Sequence, residues 1–246
     1  MDGLISSDQG VASLVLRVVN SPFYSRGNKV ATIPFAISLL GYSVVRSLAL
    51  LAFGRSLFAQ TSNKLFRQHI WQHSLMTAIA SQSICQLLGH AKLDDEAFIA
   101  GLMHDIGKVL MLTHNQDLYD SAFIFSLENN CPCLQAEQKF FGFDHCQVGL
   151  EAVQEWNLPD RFNDYLGLEL SLPRSGQLAD TVLISLMAAN FLVKSAGMGA
   201  NAITDRDIKK SALRSMGLNE ELSEHLLQDQ FIEGLMENET YKLYAG

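Results

Sequence analysis

The sequence predicts an all-α protein. Apolar residues recur at three- and four-residue spacing along most of the chain, and no run sustains a period of two. Residues that cap helices stand where those patterns begin. The chain has 246 residues, 48% of them hydrophobic, which suffices for one large domain or two small ones with real cores. Only 5 prolines argue against a turn-dense or disordered chain, and no repeat period suggests a solenoid.

The elements follow in order. LVLRVV (14–19) closes a first amphipathic helix, and NSPFYS (20–25) is a turn. Thr32 caps a helix whose first turn holds Pro34, and helical spacing continues through Phe58. The apolar stretch 33–53 approaches membrane length, but Arg46, Gly41, Tyr42 and three serines interrupt it, so it reads as a buried helix pair. A long helix spans Asn63 to Leu88 and stops near Gly89; Asp94 or Asp95 opens the next, which runs to about His114. Further helices are expected at about 117–130, 134–141, 145–155, 160–170 and 178–196. After GMGAN, Thr204 starts a helix to Ser215 and Asn219 starts the last.

The net charge of −8 is unevenly placed. Gln9 to Leu93 contains no acidic residue and 8 basic ones, whereas 94–246 holds 10 basic and 24 acidic residues. A basic and an acidic lobe follow, either attracting each other or leaving the basic lobe to an anionic ligand. An acidic chain disfavours duplex nucleic acid, and no Gly-rich phosphate loop is present. Four cysteines without zinc-ribbon spacing, and no signal peptide, fit a soluble cytoplasmic protein.

The stretch AGLMHDIGKVLML (100–112) sets His104 and Asp105 side by side in apolar surroundings. On one continuous helix their side chains would diverge by about 100°, so a site needs ligands from other helices. His69 and His73 share a helical face at i, i+4, but Ile70 stands where the metalloprotease motif requires Glu. The alternative is a buried hydrogen-bonded pair, with Asp105 fixing the imidazole of His104 or His73. Lys108 then reads as a solvated or helix-end charge, His145 as the start of the helix after Asp144, and Phe140, Phe141 and Trp156 as core.

Several motifs together resemble the HD superfamily, and in their order the HDOD domain, the HD-related output domain of bacterial signalling proteins. They are Trp71-Gln72-His73-Ser74, then Ala100-Gly101-Leu102-Met103-His104-Asp105-Ile106-Gly107-Lys108, then Phe141-Gly142-Phe143-Asp144-His145 with Gly149, then Trp156-Asn157-Leu158-Pro159. Leu16-Arg17-Val18-Val19-Asn20-Ser21-Pro22-Phe23-Tyr24, with Ala36-Ile37 and Leu40-Gly41, resembles the segment such proteins place ahead of the HD-like part. The resemblance covers roughly residues 4–196. It implies a two-lobed helical bundle: an N-terminal lobe at 1–65, an HD-like lobe at 66–197 and a helical extension at 198–246. Family members carry a further helix before the segment matching Leu4–Asn20, so a truncated or mis-started form is expected.

In catalytic members of the superfamily a His, the His-Asp pair and a later Asp bind one metal, which activates water against a phosphate ester. By resemblance His73, His104 and Asp105 are the metal ligands, and Asn190 stands where the later Asp falls. Asn supplies only a neutral oxygen. His145 and Lys108 match residues of the two-metal branch, but Glu169 and Leu170 occupy the place of its His-His pair, and its GYP segment is absent. Asn190, His145 and Glu169 are therefore the weaker ligand candidates, and His104, Asp105 and Lys108 the catalytic ones. The resemblance implies one divalent transition metal (Fe, Mn, Ni or Zn) if any. It favours a degenerate, non-catalytic module that acts on an unidentified signalling protein, with a metal-dependent phosphohydrolase as the alternative.

Overall fold

A computed structural model describes residues 31–40, 66–155, 160–166, 180–198, 203–238 and 241–242. Among them every regular element is a helix, and no helix is long and apolar enough to cross a membrane. The chain forms two compact units, Met1–Lys64 and Leu65–Gly246.

In the first unit the described element is α1 (Ile33–Leu40). The backbone N–H of Phe35 donates to Thr32 Oγ1 at 3.3 Å, the predicted cap. Its expected continuation to Phe58 and the preceding helix lie outside the described residues.

The second unit begins with a π-helical stretch, Arg67–Gln72, that runs into α2 (His73–Leu87). The following helices are α3 (Asp94–Met103), α4 (Ile106–His114), α5 (Gln116–Glu128), α6 (Cys133–Phe141), α7 (His145–Glu155), α8 (Phe162–Leu166) and α9 (Thr181–Ser195). Three helices follow: α10 (Arg206–Ser215), α11 (Glu220–Leu226) and α12 (Asp229–Glu237). Helix α2 is the central element, buried on almost every side by α3 and α9. That is why its sequence shows no polar stripe: a helix enclosed all round needs no wet face.

Caps explain several boundaries. Asn115, Asp180, Asp205 and Asn219 each accept backbone N–H groups at a helix start. Asp205, rather than the expected Thr204, caps α10, because its carboxylate takes two N–H groups, from Asp207 and Ile208. The predicted final helix is two, broken between Leu226 and Asp229.

The largest departure is at the quoted motif. The expected helix 94–114 stops at Met103 and restarts at Ile106, and His104-Asp105 form the turn between. Asp105 sits at φ −106°, ψ 18°, the bridge region common in active-site turns. Two glycines bring neighbouring backbones into contact around it. A Cβ on Gly101 would lie 2.5 Å from Ala78 Cα, fixing how closely α3 crosses α2. A Cβ on Gly107 would collide with the His145 carbonyl, so α4 and α7 touch main chain to main chain. Small residues here place His73, His104 and His145 within reach of Asp105.

Candidate metal centre

His73 opens α2 at the point where π-helical winding ends. His69 turns to stack on Phe123, with ring centroids 5.5 Å apart, and takes no part in the cluster, so the i, i+4 pair is not a ligand pair. The His73 ring instead faces His104 across the α2–α3 contact, with centroids 5.2 Å apart.

The two imidazoles are held in the same way. His73 Nδ1 lies 2.5 Å from the Met198 carbonyl, and His104 Nδ1 lies 2.7 Å from the Gly101 carbonyl. A carbonyl only accepts, so each Nδ1 carries the proton and each Nε2 presents a lone pair. The two Nε2 atoms lie 3.2 Å apart. Asp105 Oδ2 lies 3.5 Å from the first and 3.4 Å from the second. Two lone pairs and a carboxylate oxygen thus converge on one point. His73, His104 and Asp105 are 1%, 5% and 2% exposed, so bulk solvent does not reach them.

The break at Met103 is what makes this convergence available. Because His104 and Asp105 are in a turn, their side chains swing to the same side instead of diverging as on an unbroken helix.

Electrostatics follow from burial. Desolvation holds His73 well below the usual imidazole range, and Asp105 only partly offsets it. His104 is lowered for the same reason. Both rings stay neutral, the form that ligates metals. Burial alone would raise the Asp105 carboxyl, but His104, Lys108, His145 and His73 around it outweigh that and hold it well below the carboxylate range.

Lys108 is not the solvated charge expected from the sequence. One turn after Asp105, it is 5% exposed and donates from Nζ to Asp105 Oδ2 at 2.8 Å. His145 begins α7 and reaches Asp105 from the other side, with Nε2 3.5 Å from Oδ1. Its Nδ1 donates to Glu137 Oε2 at 2.6 Å, and its backbone N–H donates to the same oxygen at 2.9 Å. Burial pushes the His145 imidazole down, but its hydrogen bonds to Cys146 and Glu137 lift it to about 10. Tyr119 donates its hydroxyl to Glu137 Oε1 at 3.3 Å.

Glu137 is the residue of this buried cluster that sequence reasoning missed. It is 2% exposed on α6, inside a stretch that otherwise reads as an ordinary amphipathic helix. The available signal was its position eight residues before His145, across a Gly turn that folds α6 back toward α7.

Asn190 lies on α9, 7% exposed, and its Oδ1 has no hydrogen-bond partner. Lys194, one turn along the same face, is near enough to His73 and His104 to oppose their protonation. Asn190 thus shares a helix face with Lys194 and offers a neutral oxygen. Glu169 lies outside the described residues, as does Trp156. Phe140 and Phe141 are only partly buried, packed with Phe125 against a small cluster of Ala122, Cys131 and Ala136.

His73, His104 and Asp105 form a group able to hold a metal ion, their donor atoms all within 4.8 Å of one another. Two imidazole nitrogens and one carboxylate suit a divalent transition metal better than calcium or magnesium, which prefer all-oxygen shells.

The HDOD domain model matches residues 1–167. The chain belongs to the HDOD family. Solved structures share its helical fold. An HDOD domain protein from Geobacter sulfurreducens is 22% identical at a TM-score of 0.63, over 96% of this chain and 84% of that one. A protein from Shewanella amazonensis SB2B, named as a candidate metal-dependent phosphohydrolase, is 18% identical at 0.60, over 100% and 84%. The MmoQ response regulator from Methylococcus capsulatus is 23% identical at 0.54, over 92% and 93%. An uncharacterized protein of Treponema pallidum is 23% identical over 193 residues; the HDOD chain spans 77% of itself but 37% of that relative's length.

Proposed function

We propose that this HDOD chain is a non-catalytic signalling module, with His73, His104 and Asp105 holding one divalent transition metal inside the fold. The enclosure of the cluster carries this reading. A hydrolytic metal centre needs an open position for water and room for a phosphate ester. Here His73, His104, Asp105, Lys108, His145 and Asn190 are all between 1% and 7% exposed. The Lys108 ammonium on Asp105 also reduces the negative charge that a metal-bound water and a phosphate ester would need beside them. With chemistry closed off, the family's output role points to protein contacts with an unidentified signalling partner. The response-regulator name of the Methylococcus capsulatus structure supports that direction.

A second reading, metal-dependent phosphohydrolase, is favoured by one observation: the paired Nε2 lone pairs aimed at the same carboxylate oxygen. The name of the Shewanella amazonensis structure accords with it. Purified protein supplied with Mn²⁺, Fe²⁺, Ni²⁺ or Zn²⁺ is assayed on phosphomonoesters and phosphodiesters beside His104→Ala/Asp105→Ala. The module reading expects no turnover above that variant. Hydrolysis that the double substitution abolishes would replace it with the enzyme.

A further inference from the structure

We propose that Lys108 is a built-in counter-ion that competes with the divalent cation for Asp105, making occupancy of the cluster a reversible switch. This rests on the reading of His73, His104 and Asp105 as the cation site and names how that site is regulated.

The geometry converges on one oxygen. Asp105 Oδ2 faces both imidazole Nε2 atoms, at 3.5 and 3.4 Å, and the same oxygen takes Lys108 Nζ at 2.8 Å. Oδ1 is turned toward His145 instead, at 3.5 Å. The ammonium therefore sits on the atom that a cation between the imidazoles would share. Two positive charges cannot both hold a single buried carboxylate oxygen at contact distance without strong repulsion. Loading the site must move the ammonium off Oδ2, and emptying it lets the ammonium return.

The tether makes such movement feasible. Lys108 is in the first turn of α4, three residues from Asp105, on a flexible four-carbon stem with one compact charge. Its backbone N–H bonds to the Asp105 carbonyl at 2.9 Å, so the chain stays fixed while the side chain changes partner. The consequence is a site that binds its ion more weakly than its ligand set alone would give. It would load and unload with cation supply, as a sensor must, and each event would shift a buried charge at the start of α4.

The test compares Zn²⁺ affinity, by competition with a chromophoric chelator, in wild type, Lys108→Met and Lys108→Arg. Lys108→Met keeps the stem and removes the charge, and it is expected to bind Zn²⁺ about tenfold tighter or more. Lys108→Arg keeps the charge and is expected to bind no tighter than wild type. Equal or weaker binding by Lys108→Met, or no Zn²⁺ binding by any of the three, overturns the proposal. Should Lys108→Met not fold, the wild type decides: the Lys108 Cε and Nζ resonances must shift as Zn²⁺ saturates the protein. Resonances that stay in place at saturation overturn it. The phosphate-ester assays read the proposed function separately, since a hydrolytic protein could still show the Lys108 effect.

Discussion

Among its described residues the second unit carries two ion-rich clusters that each set lysine against carboxylates, and they behave in opposite ways. On the C-terminal helices, Arg206 pairs with Glu224 at 2.9 Å, Lys210 with Glu220 and Glu224, and Arg214 with Glu220 at 2.6 Å. These groups are in water: the Arg206 and Arg214 side chains are 57% and 59% exposed. Solvent and salt screen such pairs, and holding long side chains in place costs entropy. At the buried cluster, Asp105, Lys108, His145 and Glu137 are nearly dry, so each interaction is felt in full and each broken partner is left stranded. Counting ion pairs would set the surface network, with four, beside the buried cluster, with five. Burial ranks the surface network lower, and among the described residues it is the buried cluster that brings imidazole and carboxylate donors together for a cation.

Substitutions that break the buried cluster should have the largest effects. Asp105→Ala leaves the Lys108 ammonium buried without its carboxylate, and we expect a loss of about 3–5 kcal/mol in chemical denaturation. An unchanged midpoint would mean the pair is more hydrated than its burial indicates. Gly107→Ala drives a methyl into the His145 carbonyl and should cost about 1–3 kcal/mol or more by the same measurement. A neutral outcome would show that α4 and α7 can separate freely.

Glu137→Leu comes next. It removes the acceptor of the His145 ring, the His145 backbone N–H and the Tyr119 hydroxyl, and should destabilise by about 1–3 kcal/mol. Glu137→Gln, which keeps an acceptor oxygen, should recover part of that loss. Equal effects of the two substitutions would mean that Glu137 acts by filling space. Last, Lys210→Ala should leave the melting temperature unresolved from wild type in high salt, because its partners are solvated. A clear drop there would erase the contrast between the two clusters.

How much of this was legible in the sequence depends on the range of the interactions involved. Helix class and most caps are local, so Thr32 and Asn219 were readable from their neighbours. Membership in the HDOD family followed from motif order, and with it the grouping of His73 with His104 and Asp105. The break at Met103 was not legible, because residues 94–114 have unbroken helical spacing and the turn is imposed by α2 and α7 packing against Gly101 and Gly107. Lys108 was misread because a lysine is charged everywhere in a sequence, and only the fold shows that it is dry. Glu137 was invisible for the same reason, its partners lying on α5 and α7.

The most direct test of the contrast is equilibrium dialysis against Zn²⁺ of wild type, Asp105→Asn and Glu220→Gln/Glu224→Gln. The account predicts about one equivalent bound at saturating Zn²⁺ by wild type and by the surface variant, and none by Asp105→Asn. Binding that survives Asp105→Asn, or that disappears with the two surface glutamates, would contradict it.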